Sequence, residues 1–414
     1  MGHASRAERT AAQRRRMAVR MYCSRVPVAT IARKLKHSRG WVYKWIAYRA
    51  HHPWTRFRSG SRASHHHPNK TPGVVERRVL RLRQQLVHHA APDTRFAGIG
   101  ARTIQREYRK RYGRPPSLST LQRLLNRHHC LSAVKPKRKR YRPHPEAAYP
   151  NAVQATDIIT RWITGGAVVQ TFNTVDVYSN DVASTTHANK SAADARQHLL
   201  NTWKTLGLPD VAQFDNESAF NGGRYARQIS QVVRLCLYCG IAVLFTPLDE
   251  ASYNWPVEIF NELWARQFWN RHLFSRRCDV PRVQRTFLDW YRTHYVAPRQ
   301  SDTPIHLRRG QLIHRLPAHW ADQVPDALPI CAGEIQAVRR VDEAGYVRFL
   351  NEPIRIGKRY AGRYVWLTVA TRRQRLTVWY QPCAQADWRI LKELDYPLGE
   401  AVLPVPKQFA RLHA

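Results

Sequence analysis

The spacing of apolar positions changes character twice along this chain. In the first third, apolar residues recur every three or four positions, which is typical of amphipathic helices. From residue 151, short runs rich in β-branched and aromatic residues alternate with helical stretches, which indicates an α/β region. From residue 331 to 402, strand-like runs separated by turn residues predict a small antiparallel β-barrel. We therefore expect a multidomain protein of α-helical modules, an α/β core with a mixed sheet, and a small C-terminal β-barrel.

Residues 1–50 have the pattern of a helix-turn-helix module. An apolar stripe from Val28 to Leu35 predicts a short helix, and Ser38 is a suitable N-cap for the helix that follows. The start of this second helix is the part that enters a major groove in such motifs. The residues predicted to point outward there are Arg39, Gly40, Tyr43 and Lys44. The alternative is a small basic helical hairpin with a solvated charged face.

Residues 73–131 predict a second helical DNA-binding module, with basic linkers on both sides at 51–72 and 132–150. Its last helix follows a Pro-Pro-Ser start, and Arg123 and Arg127 lie one helical turn apart on it as candidate phosphate or base contacts. The second linker is expected to follow DNA phosphates. The basic residues assigned to that role are Lys137, Arg138, Lys139 and Arg140.

Residues 151–300 carry the candidate chemistry. Three strands, a helix and a strand follow in the order of a ribonuclease-H-like core. Asp157 lies in the first strand, Asp215 at the end of the fourth, and Glu258 just after Pro256, which suits a first helical turn. Three carboxylates can bind Mg²⁺ without filling its coordination shell, and two such ions about 3.5–4 Å apart support phosphodiester cleavage. The competing acidic residues are Asp176, a structural candidate, and Glu217 and Glu262.

Charge points to a polyanionic partner. The formal net charge is +39, of which residues 1–150 contribute +31, so nucleic acid is the leading candidate. No apolar run reaches the roughly 18 residues of a membrane span, and no signal peptide is evident, so a cytosolic protein without a membrane partner is expected. The pair Cys236-x-x-Cys239 could be half of a zinc site or a redox motif, but its apolar surroundings favour buried thiols.

These motifs together resemble DDE transposases of the bacterial insertion-sequence type, which have a retroviral-integrase-like catalytic core; the resemblance covers roughly residues 20–400. It implies that Asp157, Asp215 and Glu258 are both catalytic residues and ligands of two Mg²⁺ ions, for which Mn²⁺ can substitute. It also implies double-stranded DNA as the partner, both element ends and target, and a homodimer or higher oligomer on DNA in the bacterial cytoplasm, at the nucleoid. The predicted barrel, after a connector at 301–330, is similar to the C-terminal barrel of many such enzymes.

The chain departs from the family pattern beside two of the carboxylates. The family usually has Asp-Asn-Gly around the second carboxylate, but this chain has Asp215-Asn216-Glu217. A Gly is also common shortly before the Glu, where this chain has Trp255-Pro256. The 42 residues between Asp215 and Glu258 are somewhat more than the family's usual spacing. Two other functions remain open. One is a domesticated, catalytically silent DNA-binding regulator, and the other is a ribonuclease-H-type nuclease, which would leave the helical modules without a role.

Overall fold

The computed structural model describes residues 6–53, 57, 71–89, 91–130, 141–222, 225–296, 305 and 319–410. The chain forms two compact units, Met1–Pro72 and Gly73–Ala414. Within the described ranges, no helix combines the length and the apolar character needed to cross a bilayer.

The described part of the first unit contains three helices, α1 (Arg6–Cys23), α2 (Val28–Leu35) and α3 (Arg39–His51). Ile31 and Val42 are fully buried and pack together with Ala18 of α1. Ser38 caps α3, because its hydroxyl accepts a hydrogen bond from the Trp41 backbone N–H at 3.2 Å. The predicted helices and their cap are confirmed, while a role in DNA binding stays a prediction.

The second unit combines helices with one large mixed sheet. Its helices are α4 (Gly73–Val87), α5 (Ala101–Tyr112), α6 (Leu118–Arg127), α7 (Ala192–Leu206), α8 (Ser218–Asn221), α9 (Gln231–Tyr238), α10 (Trp255–Gln267) and α11 (Asp279–His294). Its first strands are β1 (Val153–Trp162), β2 (Val168–Asp176), β3 (Val182–His187), β4 (Val211–Phe214) and β5 (Ala242–Phe245). The later strands are β6 (Ile330–Cys331), β7 (Glu334–Arg340), β8 (Tyr346–Phe349), β9 (Glu352–Arg355), β10 (Tyr364–Ala370), β11 (Arg375–Tyr380), β12 (Arg389–Asp395) and β13 (Val402–Leu403).

The main sheet has nine strands in the order β12-β11-β10-β7-β5-β4-β1-β2-β3. β1, β2 and β3 pair antiparallel, whereas β1, β4, β5 and β7 run parallel to one another. Helices α10 and α11 share a core with one face of β1 to β3, and α7 and α9 share a core with the opposite face. The mixed α/β sheet agrees with the predicted integrase-like core.

The C-terminal strands differ from the predicted separate barrel over residues 331–402. Through β7, which pairs with β5, strands β10, β11 and β12 extend the core sheet, and β8 and β9 form a hairpin beside it. A strand pattern predicts that a segment is extended, but it does not specify which edge the segment pairs with. Here the open edge of β5 provides that partner.

The second helical module is also more closely tied to the core than its sequence suggests. Helices α4 to α6 are present as predicted, but their buried residues belong to the same apolar core as α10 and α11. Phe96 lies edge-to-face with Phe287 of α11, with ring centroids 5.3 Å apart. The Trp290 indole of α11 donates a hydrogen bond of 2.8 Å to the Asp93 carbonyl. This module is therefore docked on the core by its apolar face.

The end of the second predicted linker is likewise held against the core. Arg142 forms an ion pair of 2.9 Å with Glu250, and the His144 ring stacks on Tyr253 at 4.2 Å. The Tyr253 hydroxyl also donates a hydrogen bond to the Pro143 carbonyl. The expected phosphate contacts Lys137, Arg138, Lys139 and Arg140 lie outside the described residues.

Candidate active site

Asp157 and Asp215 occupy equivalent positions in the register of two neighbouring parallel strands. β1 and β4 run parallel, and the last pair in register is Thr156 with Phe214. The residue after this pair is an acid on both segments, Asp157 after Thr156 and Asp215 after Phe214. Because paired strands lie about 4.8 Å apart, this register brings two distant parts of the sequence side by side.

Glu258 is placed by an anchor at the start of α10. Pro256 occupies the first turn of that helix, as predicted, and Glu258 is the acidic residue of the same turn. Asn254, just before the helix, is buried; its amide donates to the Thr156 carbonyl at 3.1 Å and accepts from Gln213 at 2.8 Å. Asn254 thus ties the helix start to β1 beside Asp157 and to β4 just before Asp215.

The electrostatics of the three carboxyl groups indicate that they lie close together. Burial raises the pKa of Asp157 to about 7, with further increases from the charges of Asp215 and Glu258. The pKa of Asp215 rises to about 6, again mainly through burial, and Glu258 adds to it. The pKa of Glu258 is also raised, by burial. Three half-buried acids from three separate segments therefore share one electrostatic environment.

A chain of polar side chains holds Asp157 from the α10 side. The Asn261 amide donates to Asp157 Oδ2 at 2.7 Å and accepts from the buried Asn173 amide at 2.9 Å. Asn173 lies opposite Asp157 in the β1–β2 pairing and accepts from the Ser184 hydroxyl, its own opposite neighbour on β3. Gln284 of α11 completes the chain with a bond of 2.5 Å to Ser184. Asp157 is therefore fixed through four other segments, α10, β2, β3 and α11.

The sequence alone did not identify most of these supporting residues. Asn261 stands three positions after Glu258, which places both on one side of the helix, and this spacing was the available signal. Asn173 and Ser184 carry no local signal, because their role depends on strand register.

Glu217, which replaces the usual Gly, adds a fourth acidic group to the area. Its backbone N–H donates to Asp215 Oδ1 at 3.1 Å, and its negative charge raises the pKa of Asp215. Lys190 offsets this charge, because its ammonium donates to both Glu217 oxygens at 3.0 and 3.1 Å and lowers the pKa of Asp215. Glu217 is thus paired with the Lys190 cation at the edge of the site.

The donor chemistry of the trio suits a divalent cation, since Mg²⁺ prefers carboxylate oxygens. As the side chains stand, however, no group of three or more His, Cys, Asp or Glu residues in the described parts of the chain is arranged to hold a metal ion. Asp157 has one oxygen engaged by Asn261, and Asp215 one by the Glu217 N–H. The carboxylates are therefore clustered, but they do not form a finished coordination site.

The competing acidic residues have other surroundings. Asp176 is 2% exposed and accepts from the backbone N–H groups of Asn151 and Ser179, each at 2.9 Å, which is the environment of a structural carboxylate. Glu262 is 63% exposed at its side chain and pairs with Arg266 one turn further along α10.

The cysteine pair has the environment expected of packed thiols. Cys236 and Cys239 are fully buried in the apolar core, and burial raises the pKa of both. Such thiols are poor nucleophiles and poor metal ligands.

The predicted DNA contacts of the helical modules are on the surface. Arg39, Gly40, Tyr43 and Lys44 are all exposed on the first turns of α3. Arg123 and Arg127 are exposed on α6, although Arg127 also lies 3.6 Å from Glu76. The DNA-binding role of these positions stays a prediction.

No family model matches the chain. Its structural neighbours include a chain of a simian T-cell lymphotropic virus intasome in complex with the PP2A regulatory subunit B56 gamma, at 14% identity and a TM-score of 0.35, covering 75% of this chain and 96% of that one. The HTLV-2 integrase catalytic core domain in complex with magnesium matches at 18% identity and a TM-score of 0.30, covering 39% of this chain and 99% of that domain. The BIV integrase catalytic core domain matches at 13% identity and a TM-score of 0.29, covering 38% and 93%. These likenesses are weak, and the strand order and pairing of the main sheet define the fold.

Proposed function

We propose that the protein is a DNA transposase of the DDE type, which binds the terminal repeats of a mobile element, exposes 3′-hydroxyl ends and transfers them into target DNA. The observation that supports it most is the clustering of Asp157, Asp215 and Glu258, in which burial and, to a smaller extent, the charges of Asp215 and Glu258 raise the pKa of Asp157 to about 7. Acids whose pKa is raised in this way are more common at functional sites than elsewhere.

Asp157, Asp215 and Glu258 would hold the divalent ions, Mg²⁺ or Mn²⁺. Such ions, when bound, supply charge neutralisation at the scissile phosphate and activate the attacking oxygen. The chain's own residues orient the ligands: Asn261 fixes one Asp157 oxygen, and Asn254 fixes the start of the helix that carries Glu258. The basic first unit and the exposed arginines of α6 would hold the DNA by its phosphates.

Joining two element ends requires at least two active sites, so we propose a dimer or larger assembly on DNA. Cleavage and strand transfer would take place in the bacterial cytoplasm, where the target chromosome lies.

The test uses end-labelled DNA that carries the inverted repeats flanking the coding region, with Mg²⁺ or Mn²⁺. The wild-type protein is expected to cut at the repeat ends and to join them to a target plasmid. Asp157→Asn should bind the same DNA almost normally and lose cleavage. The matched control is Glu262→Gln, which neutralises a surface acid of α10 one turn from Glu258 and should cut at the wild-type rate. Full cleavage by Asp157→Asn would refute the assigned site.

A second candidate is a DNA-binding regulator with a silent core. It is favoured by the extra acid Glu217 and by the lack of a finished metal-binding group among the described residues. It predicts that the wild-type protein binds the repeats and leaves them uncut with either metal. The same assay therefore separates the two functions.

A further inference from the structure

Arg339, on the tail strand β7, is a buried charge whose partners among the described residues are all neutral. It is 4% exposed, and burial lowers its pKa to about 10, so it remains protonated at neutral pH. Its Nε donates to the Arg348 carbonyl at 2.8 Å, and its Nη1 to the carbonyls of Thr246 at 2.6 Å and Val338 at 2.9 Å. Burying a cation against neutral groups costs free energy that a well-packed apolar side chain would not cost.

The remaining guanidinium nitrogen of Arg339, Nη2, bonds to the residue that follows Asp215. Its Nη2 donates to Asn216 Oδ1 at 2.8 Å, and the Asn216 amide donates in turn to the Thr246 carbonyl at 2.8 Å. Thr246 follows β5, so both ends of the Asn216 amide are fixed between the end of β5 and the tail strand. Asn216 is the residue directly after Asp215.

We infer that Arg339 is a positioning residue for the carboxylate site. Its hydrogen bond holds the Asn216 side chain, and this clamp on Asn216 fixes the position of the neighbouring Asp215. Strand β7, which carries Arg339, thereby contributes to the geometry that cleavage requires. This inference rests on the proposed function for its catalytic consequence. Asp215 sits beyond the last paired residue of β4, where the ladder no longer holds the backbone, so a clamp on its neighbour restricts it. Arginine suits the task because its planar group serves several acceptors in fixed directions, which lysine cannot do.

The test compares full-length Asn216→Ala, Arg339→Lys and the double variant with the wild type. Each single variant is expected to lower kcat for end cleavage about 10- to 100-fold with little change in KM for DNA, since a small misplacement of a reacting group has effects of that size. The double variant should be no slower than the slower single one, because both changes open the same clamp. Arg340→Gln is the matched control, since Arg340 follows Arg339 on the same strand but is exposed.

Hydrogen–deuterium exchange over residues 211–222 provides a readout that does not need cleavage. Both single variants should speed exchange there, while the melting temperature of Asn216→Ala stays near that of the wild type. Wild-type kcat or unchanged exchange in Asn216→Ala would overturn the inference, whatever happens to the folding of the arginine variants. If the wild-type protein itself failed to cut DNA, the proposed transposase would fall, and the exchange data would still decide whether the clamp exists.

Discussion

Neutralising the first carboxylate should make the protein more stable while it abolishes the proposed chemistry. The pKa of Asp157 is raised from 3.8 to about 7, so ionising it in the folded protein costs about 4 kcal/mol more than in the unfolded chain. Asp157→Asn keeps the shape and removes the charge. Part of the gain is offset, because Asn261 and the Ile158 N–H lose a charged acceptor. We expect a net stabilisation of about 1–3 kcal/mol near pH 8 without divalent metal.

The pH dependence fixes the sign of this effect. Because the folded-state pKa lies above the unfolded value, the folded protein binds the proton more tightly between 3.8 and about 7, and stability from this group is lost as pH rises through that window. The advantage of Asp157→Asn should therefore be largest above pH 7 and should shrink by more than half at about pH 5. Millimolar Mg²⁺ or Mn²⁺ should stabilise the wild-type protein and have a smaller effect on the variant.

Urea unfolding of both proteins in EDTA, followed by fluorescence at several pH values, measures the effect. Glu262→Gln is the control, because that side chain is 63% exposed and its ion pair with Arg266 lies on the surface. It should change the free energy of unfolding by less than about 0.5 kcal/mol. A wild-type protein at least as stable as Asp157→Asn near pH 8 would refute the reasoning, because burial and the neighbouring acids would then not penalise the ionised Asp157.

Three further changes test separate parts of the structure. Asn261→Ala removes the donor to Asp157 Oδ2, so the pKa of Asp157 should rise above about 7, and the pH–rate profile of cleavage should move to higher pH with about a tenfold loss at neutral pH; an unmoved profile would contradict this role. Glu217→Gln removes a charge that raises the pKa of Asp215, so the variant should keep cleaving DNA at a lower pH than the wild type does. A variant that loses activity at the same pH as the wild type, or at a higher pH, would argue against this effect of Glu217. Ser38→Ala deletes the cap of α3 and should cost about 1 kcal/mol in the first unit, seen by calorimetry as a lower melting temperature and by gel shift as weaker DNA binding; unchanged melting would exclude the capping bond.

Much of the fold follows from local pattern, and its assembly does not. The start of α3 and its cap at Ser38 depend on residues within one turn, so the sequence predicted them. Strand β12 was missed, because its charged residues Lys392 and Glu393 interrupt the apolar alternation by which strands are recognised. The joining of β7 to β5 was missed for a different reason, because it depends on which edge was left open in three dimensions.

The same division applies to the candidate site. The three carboxylates could be selected from the sequence by their settings at a strand, a strand end and a helix start. The residues that hold them could not, because Asn173 and Arg339 act across strand register or across distant segments. Their amide and guanidinium groups carry no pattern that a single sequence reveals.

The pairing of Val243 with Ile335 has a consequence for how the protein is made. On the ribosome, β5 is translated well before β7, and until β7 emerges the outer edge of β5 has no partner and its apolar face is only partly covered. We expect a nascent or prematurely terminated chain that holds all three carboxylates to be unable to complete its sheet, and so to be cleared by proteases. Under the proposed transposase function, DNA would then be cut only by finished copies.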